Sequence, residues 1–278
     1  MKFRALRLGL MTVLGFARRG FFIPHRYAGH LPHPGANAPY ESIHRHLADR
    51  EATFRHTLSL AEAFGDDLNG IGTEPAPAPR WEQNWFPRLD AAILYTLLRH
   101  ERPSRVVEVG SGHSTRFIAR AVSDGGFPCT VTAVDPSPRA TLYGLDVRFL
   151  EATVQEAGTG PFDALQSGDF LVIDSSHVLM PGSDVDVILN RVLPPLPKGV
   201  WIHFHDVFLP DDYPAEWGWR GYNEQAAVTQ LVLGGYETVF SSHYVTTAMP
   251  AIFEASVVRH LPVLPGAFES SLWLRKIS

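Results

Sequence analysis

The chain has 278 residues, with 24 Lys and Arg against 29 Asp and Glu, 45% hydrophobic residues and 19% charged ones. This suits one large globular domain, or one domain with an extension, and excludes a disordered or fibrous chain. The net charge of −5 argues against nucleic acid as a partner, and the single Cys129 excludes a disulfide scaffold and a cysteine-rich zinc site.

Lys2, Arg4 and Arg7 lead into a short apolar run from Leu8 to Phe16. The run is far below the ~20 residues that span a bilayer. Ala17-Arg18-Arg19-Gly20 puts positive charge where the small-residue cleavage site of a signal peptide would lie. We expect a basic amphipathic helix docked on the protein rather than on a membrane, and a reducing, cytoplasmic setting. Pro-rich stretches at Leu31 to Gly35 and Glu74 to Pro79 cannot continue a helix. Between them, Ile43, Leu47, Phe54, Leu58 and Ala61 predict one helix over Tyr40 to Phe64. Residues 1–80 thus read as a helical extension and residues 81–278 as the main domain.

Arg88 to His100 predicts a helix with an apolar stripe of Leu89, Ile93, Leu94, Leu97 and Leu98, ended by Pro103. Short apolar strands follow at Val106 to Val109, Thr130 to Val134, Val147 to Leu150, Phe170 to Ile173 and Val200 to Phe204. Helices are expected between them at Ser114 to Val122 and Asp184 to Leu193. A further helix runs from Asn223 to Leu233, capped by Asn223 and closed by Gly234-Gly235. Two last strands, Tyr236 to Thr247 and Phe268 to Arg275, are expected to pair antiparallel. This alternation predicts an α/β fold, a doubly wound, mostly parallel seven-stranded sheet with helices on both faces. Ligands of such sheets sit beyond the carboxyl ends of the strands, where Gly110, Asp135, Glu151, Asp174 and His205-Asp206 stand.

Glu108-Val109-Gly110-Ser111-Gly112-His113-Ser114 runs from a strand into a helix. The glycines let backbone approach a ligand, and a helix N-terminus offers free N–H groups. A dinucleotide fingerprint would want glycine at Thr115. Glu108, inside the strand, can accept from an ammonium or a hydroxyl. Asp135 at the next tip can accept both hydroxyls of a ribose, or cap the turn begun by Pro136-Ser137.

On Val106 to Gly112, Ala133-Val134-Asp135 and Leu171 to Asp174, the chain resembles the class I S-adenosylmethionine-dependent methyltransferases over roughly residues 88 to 275. The resemblance implies the Rossmann-like methyltransferase fold. It places Gly110, Ser111, Gly112 and Ser114 at the methionine end of S-adenosylmethionine, Asp135 on its ribose, and Glu151, Ala152 and Thr153 beside its adenine. It says little about the acceptor.

Asp174-Ser175-Ser176-His177 and His203-Phe204-His205-Asp206 end strands expected to be neighbours. Two roles are open for them: holding a divalent metal, or supplying a histidine base at His177, His203 or His205. The pattern is similar to the branch with metal-dependent catechol and sugar O-methyltransferases and cephalosporin hydroxylase. That likeness implies magnesium on Asp174 and Asp206, with His205 where the branch has an oxygen ligand. His113, His243 and the amino-terminal His25, His30, His33, His44, His46 and His56 read as ordinary polar residues.

A long segment with Phe208, Tyr213, Trp217, Trp219 and Tyr222 precedes the helix at Asn223. It reads as a lid over a flat or sugar-like acceptor, or as a loop packed on the extension or on a second subunit. Trp81, Trp85 and Phe86 could join the same wall. The expected function is methyl transfer to a hydroxyl of a small molecule, with Asp174, His177 and His205 as catalytic residues. A nucleotide-binding oxidoreductase and a non-catalytic binding module on the same fold are the alternatives, and a homo-oligomer stays open.

Overall fold

The structure, a computed structural model, describes residues 2–278. Its elements in chain order begin with the helices α1 (Lys2–Val13), α2 (Glu41–Ala48), α3 (Glu51–Leu60), α4 (Gly65–Gly70) and α5 (Arg88–Glu101). Then come β1 (Arg105–Val109), α6 (His113–Gly125), β2 (Thr130–Val134), β3 (Arg148–Leu150), α7 (Val154–Ala157), β4 (Phe170–Ile173), α8 (Asp184–Val187) and β5 (Trp201–Phe204). The chain closes with α9 (Glu224–Leu233), β6 (Tyr236–Ser241), α10 (Ser242–Ala248), α11 (Pro250–Glu254) and β7 (Leu272–Lys276).

The strands form one seven-stranded sheet in the order β3-β2-β1-β4-β5-β7-β6. Strands β1 to β5 are parallel, and β7 runs antiparallel between β5 and β6. Strands β4 and β5 are buried residue after residue, and β1 and β2 after their first, so both faces of the sheet are covered. Val109 lies opposite Val134 and Ile173, and Ile173 lies opposite Phe204. The residues that follow these four strand ends, Gly110, Asp135, Asp174 and His205, therefore emerge side by side. This is the mixed, mostly parallel seven-stranded sheet expected from the strand pattern.

Residues 41 to 71 do not form a core of their own. Ile43, Leu47, Phe54, Leu58 and Leu68 are buried in the same apolar cluster as Leu94, Leu97 and Phe240. The single helix expected over Tyr40 to Phe64 is broken at Asp49-Arg50 and ends in a 3₁₀ turn over Ala61–Phe64. The two halves have different partners, α2 packing on α9 while α3 packs on β6 and α5, so the chain bends between them.

The strand expected over Tyr236 to Thr247 stops at Ser241, whose hydroxyl accepts from the Tyr244 N–H and starts α10. The β-branched Val245, Thr246 and Thr247 concealed this turn. Asn223 makes no side-chain cap on α9; its Oδ1 accepts instead from the Leu179 N–H at 2.6 Å. At the other end Gly234 is extended, and the left-handed turn falls on Gly235.

The helix α1 forms, but it is not docked on the protein. Phe3, Leu6, Leu10, Val13 and Leu14 all stand exposed. Among the described residues no helix is long and apolar enough to cross a membrane.

Candidate functional site

The glycine loop is built on two buried carboxylates. Gly110 has a left-handed φ of 77°, and a Cβ there would sit 2.0 Å from the Asp174 carbonyl oxygen, so only glycine fits. Ser111 donates to Asp135 Oδ2 through its N–H at 2.6 Å and its hydroxyl at 3.1 Å. Ser137 N–H donates to Asp135 Oδ1 at 2.6 Å. Asp135 therefore does cap the turn after β2, and its Oδ1, with one donor, keeps a further lone pair. Beneath the loop, Glu108 accepts from the hydroxyls of Ser114 and Thr115, both at 2.5 Å. Thr115 Oγ1 accepts from the Gly112 N–H at 2.9 Å. Threonine at this position ties the loop to the strand, a positive role that the missing glycine did not reveal.

Burial pushes the Glu108 carboxyl up to about 8, against the pull of its two hydroxyl donors, and the charges of Asp174 and Asp135 add to the rise. The folded protein thus holds a proton that the unfolded chain releases above the ordinary value of 4.5. The stability linked to that proton is present at low pH and is lost as pH rises from about 4.5 to about 8. Glu108→Gln removes the titration. Its melting temperature, followed by calorimetry across that window, is expected to fall less steeply than the parent's. Parallel profiles would refute the assignment.

A cavity of about 820 Å³ opens over the carboxyl ends of β1, β2 and β4. Gly110, Ser111, Asp135, Arg139, Thr153 and Asp174 are on its wall. Of the other residues expected to bind the cofactor, Glu108, Gly112 and Ser114 lie behind the wall as its support, and Glu151 is exposed outside it.

Asp174 is shared between this cavity and a buried cluster of acids and imidazoles. His177 Nε2 lies 3.1 Å from Asp174 Oδ1 and 3.5 Å from Asp206 Oδ2. His205 Nδ1 lies 3.6 Å from Asp174 Oδ1 and 3.5 Å from Asp206 Oδ1. Each ring is held from behind by a second acid. His177 Nδ1 meets Glu224 Oε2 at 2.8 Å, and His205 Nε2 meets Asp90 Oδ2 at 3.2 Å. Asp90 is fixed in turn by the N–H groups of Ser270 and Ser271. Burial works against charge on both rings. Asp174 and Glu224 nevertheless hold His177 well above its ordinary range, and Asp206, Asp174 and Asp90 do the same for His205. The two imidazoles hold the Asp174 carboxyl well below the usual carboxylate range despite its burial. His203 is different: burial and the neighbouring His205 push it down to about 3, so it is neutral and bonded to Ser271 at 2.7 Å. His177 and Asp206 both adopt left-handed backbone, φ 59° and 56°. For non-glycine residues this costs about 1–3 kcal/mol each, a strain that the surrounding structure imposes to aim the two side chains.

One atom each of Asp174, His177 and Asp206 lie within 4.8 Å of one another, the spacing of a metal-ligand group, and His205 flanks them with its Nδ1 on the two acids. A carboxylate behind each ring nitrogen is how metal-binding imidazoles are oriented. The residues fit a divalent cation. Of the expected set Asp174, His205 and Asp206, the two acids are grouped with His177, while His205 stands beside the group. Asp90 and Glu224 escaped notice, though each lies on an apolar helix stripe, Asp90 with Ile93, Leu94 and Leu97, and Glu224 with Val228, Leu231 and Val232. An acid on such a stripe is the signal that could have found them.

The aromatic segment packs over this cluster and against the extension at once. The Tyr222 ring lies 4.6 Å from that of His177, and the Arg220 guanidinium sits 4.0 Å over Trp217. Asp212 accepts from Gly35 N–H at 2.9 Å and from Asn37 Nδ2 at 2.7 Å. Phe86 lies under the cluster, 5.1 Å from His205, while Trp85 is half-exposed beside Arg139 at the cavity rim and Trp81 packs on Phe117.

Residues 107–207 match a family described as a methyltransferase domain. A release factor glutamine methyltransferase of Deinococcus radiodurans is 32% identical over 170 residues, covering 58% of this chain and 56% of the relative. The chain thus spans little more than half of that relative's length. Among solved structures, a Podospora anserina methyltransferase bound to SAH is 15% identical, with 93% of this chain and 100% of the other covered and a TM-score of 0.45. A plantazolicin methyltransferase in complex with a triazolic desmethylPZN analogue and SAH is 11% identical, with coverage of 66% and 85% and a TM-score of 0.40.

Proposed function

We propose that this protein moves the methyl group of S-adenosylmethionine to a hydroxyl of a small hydroxylated molecule, beside a divalent metal held by Asp174, His177 and Asp206 and flanked by His205. One observation carries the reading. Asp174 is at once part of the wall of the cavity below the glycine loop and a member of the buried acid–imidazole cluster. Donor and acceptor chemistry therefore meet at a single side chain.

The residues divide the work. Gly110 brings backbone close to the methionine end of the donor, and Ser111 is locked by Asp135 so that the loop is shaped before anything binds. Asp135 offers its remaining lone pair to a ribose hydroxyl, and Thr153 lines the far part of the cavity. Methyl transfer forms the new O–CH3 bond as the sulfonium S–CH3 bond breaks and S-adenosylhomocysteine leaves, and the hydroxyl proton passes to a base, for which the Asp174 carboxylate stands on the cavity wall. When bound, the metal lowers the pKa of the acceptor hydroxyl. His177 and His205 hold their positions through Glu224 and Asp90. Tyr222 and Arg220 cover the cluster and keep water from it. The imidazole of His177 in the set favours a transition metal such as manganese over the magnesium that the likeness implied, because magnesium prefers an all-oxygen shell.

Calorimetric titration tests both halves. S-adenosylmethionine is expected to bind the parent in the micromolar range, and Asp135→Ala to weaken it by at least tenfold, about 1.4 kcal/mol. Manganese is expected to bind at least tenfold tighter than magnesium and to lose that preference in His177→Ala. No S-adenosylmethionine binding under any condition would overturn the methyltransferase reading. Equal binding of the two metals would overturn the ligand set.

A further inference from the structure

The first 40 residues differ in charge from the rest of the chain. They carry Lys2, Arg4, Arg7, Arg18, Arg19 and Arg26 and no acid, so all 29 acidic residues lie from Glu41 onward. The same stretch holds the largest exposed apolar surface among the described residues. Phe3, Leu6, Leu10 and Val13 recur at helical spacing on one face of α1, with Phe3 89% exposed, and the exposed Leu14 follows the helix directly. The surface continues past the helix through Phe16 at 77%, Phe21 at 49%, Phe22 at 69% and Ile23 at 62% exposure. Basic groups border it: Arg7 lies along the apolar face, and the guanidinium groups of Arg18 and Arg26 sit 5.5 Å and 5.4 Å over the rings of Phe21 and Tyr27.

We propose that residues 2–26 are a reversible anchor for an anionic lipid bilayer. An apolar face bordered by Arg, on a helix too short to span, suits lying in the interface with side chains in the acyl boundary and guanidinium groups among acidic headgroups. A second copy of the chain is a poorer match. Outside this segment the exposed apolar side chains come from separate elements, such as Tyr143, Trp219 and Leu233, and make no patch of equal extent. The proposal does not rest on the methyl-transfer reading, and its test is separate from that of the cofactor site.

The test is co-sedimentation of the full chain with vesicles of phosphatidylcholine alone and of phosphatidylcholine mixed with phosphatidylglycerol. Binding to the mixed vesicles is expected to be at least tenfold tighter, and to weaken near 1 M salt, where the screening length is about 3 Å. Leu6→Glu with Leu10→Glu should reduce it at least tenfold while melting temperature and S-adenosylmethionine affinity stay at parental values, since both side chains are exposed. Arg7→Ala with Arg19→Ala should remove the preference for anionic vesicles. Arg18 and Phe21, which also line the cavity, are left unchanged. Absence of vesicle binding by the parent, or parental binding by the leucine variant, overturns the proposal. A parent dimer that ignores vesicles and that the leucine variant splits also overturns it, and gives the face to a second copy.

Discussion

Gly110→Ala is expected to abolish S-adenosylmethionine binding and to lower stability by on the order of 3 kcal/mol or more. Two costs fall on the same atom. The backbone at Gly110 is left-handed, which a side chain disfavours, and the new Cβ would meet the Asp174 carbonyl oxygen at 2.0 Å. Relief requires the loop to lift away from β4. That movement strains the bonds from Ser111 to Asp135 and displaces Asp174, which the cavity and the acid–imidazole cluster share. Gly126→Ala separates the two costs. Gly126 is also left-handed, at φ 56°, but a Cβ there meets nothing within 4 Å. It is expected to lose only about 1 kcal/mol and to bind the cofactor normally. Calorimetric titration and thermal melting of both variants are the measurements. If Gly110→Ala binds S-adenosylmethionine with parental affinity, the cofactor does not lie over this loop.

What was legible in the sequence was what depends on near neighbours. The strand–glycine–helix junction at Val106 to Ser114 and the acids at the strand tips follow from local pattern. The register of β1, β2, β4 and β5 then sets those tips level. Two kinds of feature escaped. Helix breaks and caps at Asp49, Ser241 and Asn223 are decided by which distant element each segment packs on, so periodicity alone ran two elements together or extended one too far. The acids behind the imidazoles escaped because Glu224 lies 47 positions from His177, and Asp90 lies 115 from His205. No spacing rule reaches across such separations; only the fold brings them together. The amphipathic helix α1 was legible as a helix, but its neighbour was not, since an apolar face does not say what covers it.

Glu224 is where a substitution separates folding from metal affinity. Its carboxylate is 1% exposed, accepts from the Ser175 hydroxyl at 3.1 and 3.2 Å, and faces His177 Nδ1 at 2.8 Å. Glu224→Ala leaves a buried imidazole and a buried hydroxyl without their acceptor. Breaking a buried pair in this way costs about 3–5 kcal/mol, so the alanine variant is expected to melt far below the parent. Glu224→Gln keeps an acceptor oxygen at nearly the same place, so the fold survives with a smaller loss. It removes the charge that orients His177 and raises its basicity, and manganese affinity is therefore expected to fall 10- to 100-fold. Asp90→Asn makes the same change behind His205 and is expected to act in the same direction. The acceptor KM should move little in either variant while kcat falls, because neither acid reaches the cavity wall. If Glu224→Gln keeps parental manganese affinity, the carboxylate behind His177 serves the fold alone; if the parent binds no manganese, the cluster is an ion-pair network and not a metal site.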